Sequence, residues 1–110
     1  MIRTTFAAAI AIVMFGASSA FAQAAVEKGK QVYTAQKCSV CHAIAGTGNK
    51  NGSLDKVGTK LSVDDTRAWI VDAPAMAAKT KATRKPPMKA YNTLAKEDLD
   101  ALVAYMQSLK

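Results

Sequence analysis

The sequence predicts an all-α domain whose helices are separated by long loops. Three segments space their apolar residues as a helix does: 25–36, 62–73 and 96–109. No segment alternates apolar and polar residues over the length of a useful strand. The connections 38–60 and 75–93 are rich in glycine, proline and cations, and such long loops are rare in a compact domain. We therefore expect an interior organised by something other than the chain's own side chains.

The last predicted helix has the clearest pattern. It runs from Lys96 to Leu109, with Glu97 and Asp98 at the positive end of its dipole. Its apolar face is formed by Leu99, Leu102, Val103, Met106 and Leu109. Met106 lies on this stripe, so we expect it to be a packing residue.

The two earlier helices carry different signals. The first, from Ala25 to Gln36, keeps Gly29 on its apolar face, which indicates close approach of another backbone. The second begins at Ser62, with Asp65 three residues later as in a capping box, and it ends before Pro74.

Residues 1–22 have the order of a secretory signal. Arg3 is followed by an apolar run, and Ala20-Phe21-Ala22 matches the small-residue cleavage site. An uncleaved membrane anchor is the alternative, although polar residues interrupt the apolar run. Cleavage predicts that residues 23–110 form one domain outside the cytoplasm, with no permanent membrane span.

The chain is strongly basic. Its 110 residues include 15 Lys and Arg against 8 Asp and Glu, which gives a net charge of +7. Removal of the leader takes away Arg3 and leaves 14 cations against 8 acids, or +6. This charge favours an acidic partner, whereas nucleic acid is a poor candidate for an exported chain with few aromatic residues among its cations.

Both cysteines and the single histidine lie within five residues, Cys38-Ser39-Val40-Cys41-His42. This spacing is typical of c-type haem attachment, in which two thiols bond the porphyrin and the adjacent imidazole reaches the iron. A redox dithiol would need a strand-helix-strand unit that the sequence lacks, and structural zinc needs four ligands where the chain offers three. A simple disulfide between Cys38 and Cys41 is the remaining alternative.

With this motif the chain resembles the small single-haem class I cytochromes c over nearly all of residues 26–110. The resemblance rests on Gly29 to Tyr33, Cys38 to His42, Leu54, Gly58, Trp69, Pro86-Pro87-Met88 and Leu99 to Leu109. It implies the class I cytochrome c fold, with three to five helices around one covalently bound haem c. It also implies that Gly29 and Tyr33 meet Leu102 and Tyr105. The implied protein is a monomeric electron carrier of the bacterial periplasm, not an enzyme.

One position departs from the family pattern. A proline after the attachment loop commonly supplies the carbonyl that accepts a hydrogen bond from the proximal imidazole, and Asn51-Gly52-Ser53-Leu54 contains no proline. Another carbonyl can take this role, but Gly52 is less restrained than a proline. The orientation of His42 is therefore the part of the resemblance that the sequence leaves open.

Three methionines beyond the leader are candidates for the sixth iron ligand. Met88 follows two prolines that hold the chain extended, Met76 lies in a predicted loop and Met106 lies on a helix. Met88 also matches the family's ligand position. The resemblance thus implies His42/Met88 ligation, which closes the iron to other ligands and raises its reduction potential relative to two imidazoles.

Trp69 and Tyr91 are predicted to contact the haem. The alternative is that each is simply part of the core. For Trp69 the contact would be a hydrogen bond from the indole N–H to a haem propionate, because a buried donor needs a partner.

Five cations surround Met88 in the sequence: Lys79, Lys81, Arg84, Lys85 and Lys89. They form either ordinary solvated surface or a docking surface for an acidic reductase, oxidase or dehydrogenase. The preferred function is a soluble electron carrier of a respiratory chain. The alternatives are an electron-accepting subunit of a periplasmic dehydrogenase and a haem gas sensor or peroxidase, which would need an open sixth position.

Overall fold

The computed structural model of the chain describes Ile10 and residues 17–110. Its elements are helix α1 (Ala17–Ala35), strands β1 (Ala43–Ile44) and β2 (Thr47–Gly48), and helices α2 (Val57–Lys60), α3 (Val63–Val71), α4 (Ala73–Thr80) and α5 (Lys96–Ser108). The two strands form a short antiparallel hairpin, and single 3-10 turns at Cys38–Val40 and Lys50–Gly52 flank it. The mainly helical fold agrees with the sequence prediction. Within the described residues, no helix combines the length and apolarity needed to cross a membrane.

Helices α1 and α5 meet at Gly29. A Cβ atom placed on this residue would overlap the carbonyl oxygen of Ala101 and the Cβ of Tyr105. On the next turn of α1, the Tyr33 ring packs edge to face on Tyr105, with ring centroids 5.8 Å apart and 89° between the planes. The expected contact of the first and last helices is confirmed, because Gly29 lies against Ala101 and Tyr105, and Tyr33 packs on Tyr105 and against the core that contains Leu102.

The core joins α1, α3 and α5. Its buried side chains are Val32, Ile70, Leu102, Val103 and Met106. Met106 is only 6% exposed, so its predicted role in packing is confirmed. Polar contacts join α5 to the start of α3, because the Gln107 amide donates to the Leu61 carbonyl at 3.0 Å and to the buried Thr66 hydroxyl at 2.8 Å.

The prediction of one loop over residues 75–93 is wrong, because Ala73–Thr80 forms helix α4. Asp72 caps this helix by accepting a hydrogen bond from the amide of Ala75 at 3.4 Å. Pro74 lies in the first turn, where its missing N–H costs nothing, and alanines follow. The proline that we expected only to end α3 therefore also begins the next helix. The cap of α3 itself is as predicted, with the amide of Asp65 donating to Ser62 at 3.0 Å.

Helix α1 begins at Ala17, earlier than the predicted start at Ala25. The added turns are rich in alanine, the best helix former. The predicted cleavage site, Ala20-Phe21-Ala22, lies within this helix. Except for Ile10, the part of the predicted signal before residue 17 lies outside the described residues, and cleavage stays a prediction.

Candidate functional site

The attachment motif follows α1 directly. Lys37 adopts the left-handed conformation, with φ of 57°, and turns the chain out of α1 into the 3-10 turn that begins at Cys38. The Cys38 carbonyl accepts hydrogen bonds from the amides of Cys41 at 3.1 Å and His42 at 2.9 Å. This turn brings the two thiols and the imidazole together. Both cysteines are half-buried and free, so the disulfide considered above is not formed.

A backbone carbonyl holds the imidazole of His42. The half-buried ring places Nδ1 2.9 Å from the carbonyl oxygen of Gly52. A carbonyl only accepts, so Nδ1 carries the proton and Nε2 keeps its lone pair. Burial lowers the pKa of His42, the bond to Gly52 opposes that change, and the charge of Arg84 lowers the pKa further. The lowered pKa favours the neutral imidazole, whose Nε2 lone pair is available to bind a metal.

Glycines allow the loop to pack on the motif in the absence of a proline. A Cβ atom on Gly52 would overlap the Cys41 carbonyl oxygen and the Arg84 guanidinium. Gly48 has a φ of +109°, and a Cβ atom there would overlap the carbonyl oxygen of His42. The positions of these backbones require that residues 48 and 52 lack a side chain. Gly52 thus provides the carbonyl whose source the sequence left open.

Arg84 contacts the motif from a distant part of the sequence. Its Nη2 donates to the Cys41 carbonyl at 2.6 Å. We expected Arg84 to be one of the docking cations; the residue is exposed, and its guanidinium also contacts the backbone of the motif. The two residues are 43 positions apart, so no local sequence pattern could have predicted this contact.

Met88 is half-buried and lies between α4 and α5. Its segment is fixed to α3, because the amide of Tyr91 donates to the carbonyl of Ile70 at 2.9 Å. Burial raises the pKa of Tyr91, and negative charge on Cys38 and Cys41 would raise it further. Tyr91 therefore lies close enough to the attachment cysteines to interact with them electrostatically.

Trp69 and Met76 lie on the adjoining helices α3 and α4. The Trp69 side chain is half-buried, and its indole N–H donates to none of the residues that the structure describes. Met76 is buried, with 9% of its surface exposed, on a helix where the sequence predicted a flexible loop. The contact of Trp69 with a propionate stays a prediction.

Tyr33 joins the helix packing to the site. Its ring packs against Tyr105, and its hydroxyl donates to the carbonyl of His42 at 3.5 Å. Burial is the main reason that the pKa of Tyr33 rises to about 12, and negative charge at Cys38 contributes next. The phenol therefore stays protonated at neutral pH and remains a hydrogen-bond donor. The sequence indicated only its packing role.

The donor set fits a covalently bound haem c. Cys38 and Cys41 offer two free thiols, and His42 offers Nε2 beside them. Met88, in the segment between α4 and α5, is half-buried and carries a soft thioether.

The chain is similar to cytochrome c oxidase subunit 2 of Alkalihalophilus pseudofirmus. The two are 30% identical over 92 residues, which cover 76% of this chain and 25% of that protein. The chain thus spans about a quarter of the length of this curated relative. No solved structure matches the chain significantly.

A match to a family as a whole covers most of the chain. The sequence model of the family described as cytochrome c matches residues 26–110, from helix α1 to the last residue given. The match includes the motif Cys38 to His42 and the helix pair α1 and α5. The chain therefore belongs to the cytochrome c family, a family of electron-transfer proteins that carry covalently bound haem c.

Proposed function

We propose that the mature chain is a monomeric one-electron carrier of the bacterial periplasm. Cys38 and Cys41 would hold haem c through thioether bonds, and His42 and Met88 would ligate its iron. The observation that carries the proposal is the 2.9 Å contact of His42 Nδ1 with the Gly52 carbonyl, which leaves Nε2 available. When bound, haem c supplies a one-electron iron couple.

The chain's own residues suit this task because they restrain both ligands. The carbonyl of Gly52 fixes the ring of His42, and the amide of Tyr91 fixes the segment that carries Met88. A methionine thioether in the sixth position disfavours binding of oxygen or peroxide. These features favour a carrier over a gas sensor or a peroxidase.

Optical spectra of methionine variants test the ligation. We expect the oxidised wild-type protein to show the weak far-red band of methionine-to-iron ligation and Met88→Ala to lose it. Met76→Ala is the matched control and should keep the band, because Met76 is held on α4. Loss of the band in Met76→Ala alone would show that Met76, and not Met88, is the ligand. Carbon monoxide binding to the reduced wild-type protein near neutral pH would favour a sensor.

The docking surface of the carrier is formed by Lys79, Lys81, Lys85 and Lys89. All four are exposed, and in the described part of the chain none is paired with an acid. Such a surface attracts an acidic reductase, oxidase or dehydrogenase and releases it readily.

Salt and charge reversal test this surface. The rate of electron transfer with an acidic redox protein should fall as ionic strength rises, because salt screens exposed charges. Lys81→Glu should slow the transfer more than Lys110→Glu, because Lys110 lies outside the assigned surface, next to Leu109, whose carbonyl accepts a hydrogen bond from the Gly58 amide of α2. Equal effects of the two changes on the transfer rate would contradict the assignment of these lysines as the docking surface.

A second candidate is a cytochrome component of a larger redox assembly. The resemblance to an oxidase subunit 2 motivates it, since that relative is about four times as long as the matched region. A periplasmic dehydrogenase is the other assembly that would use such a component. Size-exclusion chromatography of a native extract distinguishes the two functions, because a carrier elutes near the monomer mass and a subunit elutes with its partners.

The secretory signal over residues 1–22 belongs to the proposal. The order of Arg3, the apolar run and Ala20-Phe21-Ala22 supports it. Mass spectrometry of the protein from the native host should give residues 23–110 plus one haem. A mass that includes residues 1–22 would instead favour the uncleaved anchor.

A further inference from the structure

Among residues 81–95, which connect α4 to α5, Arg84 has the one side chain that forms a hydrogen bond with the attachment motif in the described part of the chain. Its Nη2 donates to the carbonyl of Cys41 at 2.6 Å, from 43 residues away in sequence. The residue that follows Cys41 is His42. The guanidinium thus holds the peptide group from which the proximal histidine extends.

The same guanidinium also lies against Gly52. A Cβ atom on Gly52 would overlap Nη1 and come close to Cζ of Arg84. The carbonyl of Gly52 accepts the hydrogen bond of His42 Nδ1 at 2.9 Å. Arg84 therefore touches both backbone positions that determine where the imidazole points, one before the ring and one beside it.

A guanidinium keeps its positive charge at every pH the protein meets. Addition of an electron lowers the charge at the iron, so a fixed cation beside the proximal ligand favours the reduced form. The hydrogen bond to Cys41 also holds the charge of Arg84 in place although the residue is exposed, whereas the charge of a lysine without such a contact moves freely.

We propose that Arg84 is a positioning residue for the proximal ligand: it fixes the orientation of His42 through Cys41 and Gly52, and its charge raises the reduction potential. This role rests on the proposed function, because it takes His42 as an axial ligand. It separates Arg84 from the neighbouring lysines, which act on partners and leave the ligand unchanged.

The chain offers a matched control next to Arg84. Lys85 carries the same charge, is exposed, and forms no ion pair or hydrogen bond with the described residues. Arg84→Gln and Lys85→Gln therefore remove equal charge from adjacent positions, and only the first removes the contacts to Cys41 and Gly52.

The experiment compares the haem-loaded wild-type protein with Arg84→Gln, Arg84→Lys and Lys85→Gln. Redox titration gives the reduction potential, and NMR gives the exchange rate of the His42 Nδ1 proton. Arg84→Gln should lower the potential more than Lys85→Gln and should speed proton exchange roughly tenfold, the factor for one ordinary hydrogen bond. Arg84→Lys should recover most of the potential and little of the slow exchange.

Two results would overturn the role of Arg84. One is an equal potential in Arg84→Gln and Lys85→Gln, and the other is unchanged proton exchange in Arg84→Gln, each with wild-type histidine and methionine ligation intact. Loss of that ligation in the wild-type spectrum would instead contradict the proposed function, so the two failures are distinguishable.

Discussion

The helical frame and the site loops are held together in different ways. The helical frame is α1, α3 and α5, and it supplies all five side chains of the buried core cluster, which are Val32, Ile70, Leu102, Val103 and Met106. The site loops are residues 37–60 and 81–95, and among their described residues Ala43 alone is buried. The site loops are fixed mainly by backbone hydrogen bonds, such as that from the amide of Leu54 to Ala43 at 2.8 Å.

This difference separates two properties that one small domain must combine. Apolar burial in the helical frame provides stability, since each buried side chain contributes about 1.5 to 3 kcal/mol. Directed polar contacts in the site loops orient the ligands. We therefore expect changes in the helical frame to alter the free energy of unfolding and to leave the reduction potential of the folded protein nearly unchanged.

The largest expected effect is that of Gly29→Ala. The added methyl group would overlap the carbonyl of Ala101 and the Cβ of Tyr105, so α1 and α5 must move apart. We expect a loss of about 3 kcal/mol in the free energy of unfolding, measured with denaturant. Gly46→Ala is the control in the site loops. It has a φ of +81° but open space around it, and it should cost about 1 kcal/mol.

A smaller loss for Gly29→Ala than for Gly46→Ala would contradict the assignment of stability to the helical frame. A change in potential for folded Gly29→Ala would show that the two properties are coupled after all.

Gln107→Ala should have an intermediate effect. It removes the donor to the Leu61 carbonyl and to the hydroxyl of Thr66, which is 3% exposed and would lose its partner. We expect a loss of about 2 kcal/mol in the free energy of unfolding. Gln31→Ala, the same change at an exposed position of α1, should be nearly neutral. Equal losses would mean that the polar contacts between the helices contribute nothing.

The smallest expected effect is a pH dependence at Asp100. Hydrogen bonds from Lys96 at 2.8 Å and Arg67 at 2.7 Å hold the pKa of this carboxyl below its ordinary value of 3.8. A lowered folded-state pKa stabilises the fold above the ordinary value, and this contribution is lost as the pH falls through the folded pKa.

Acid unfolding of Asp100→Asn measures this contribution. The wild-type protein should be slightly more stable than the variant at neutral pH, and the difference should vanish in strong acid. The carboxyl is exposed, so the difference should also shrink at high salt. A difference that grows as the pH falls would have the wrong sign for a stabilising ion pair.

The sequence predicted the helical frame well because its signals are periodic or local. Helix α5 was expected from Lys96 to Leu109 and is observed as Lys96–Ser108. The cap at Ser62 was also predicted. The sequence analysis did not predict helix α4, because a proline such as Pro74 usually ends a helix. Here Asp72 caps a new helix and Pro74 lies in its first turn. The short strands and 3-10 turns are too brief to show a period.

The candidate site was predicted in its residues and not in its contacts. The motif from Cys38 to His42 identifies the donors by spacing alone. The hydrogen bond between Gly52 and His42 forms because a loop folds back on the motif. No periodic pattern or capping signal in the sequence predicts this contact. The bond from Arg84 to Cys41 is of the same kind, since it joins positions that only the tertiary structure brings together.

The crossing of α1 and α5 brings the first and last helices of the chain into contact. Every candidate haem contact, from Cys38 to Tyr91, lies on the single stretch between these two helices. Separation of the pair frees both ends of that stretch at once, so the entropic cost of closing the loop must be met again before the ligands can meet. Iron coordination and helix pairing should then be lost in one transition, so the colour of the protein would report on a contact made by residues that never touch the metal.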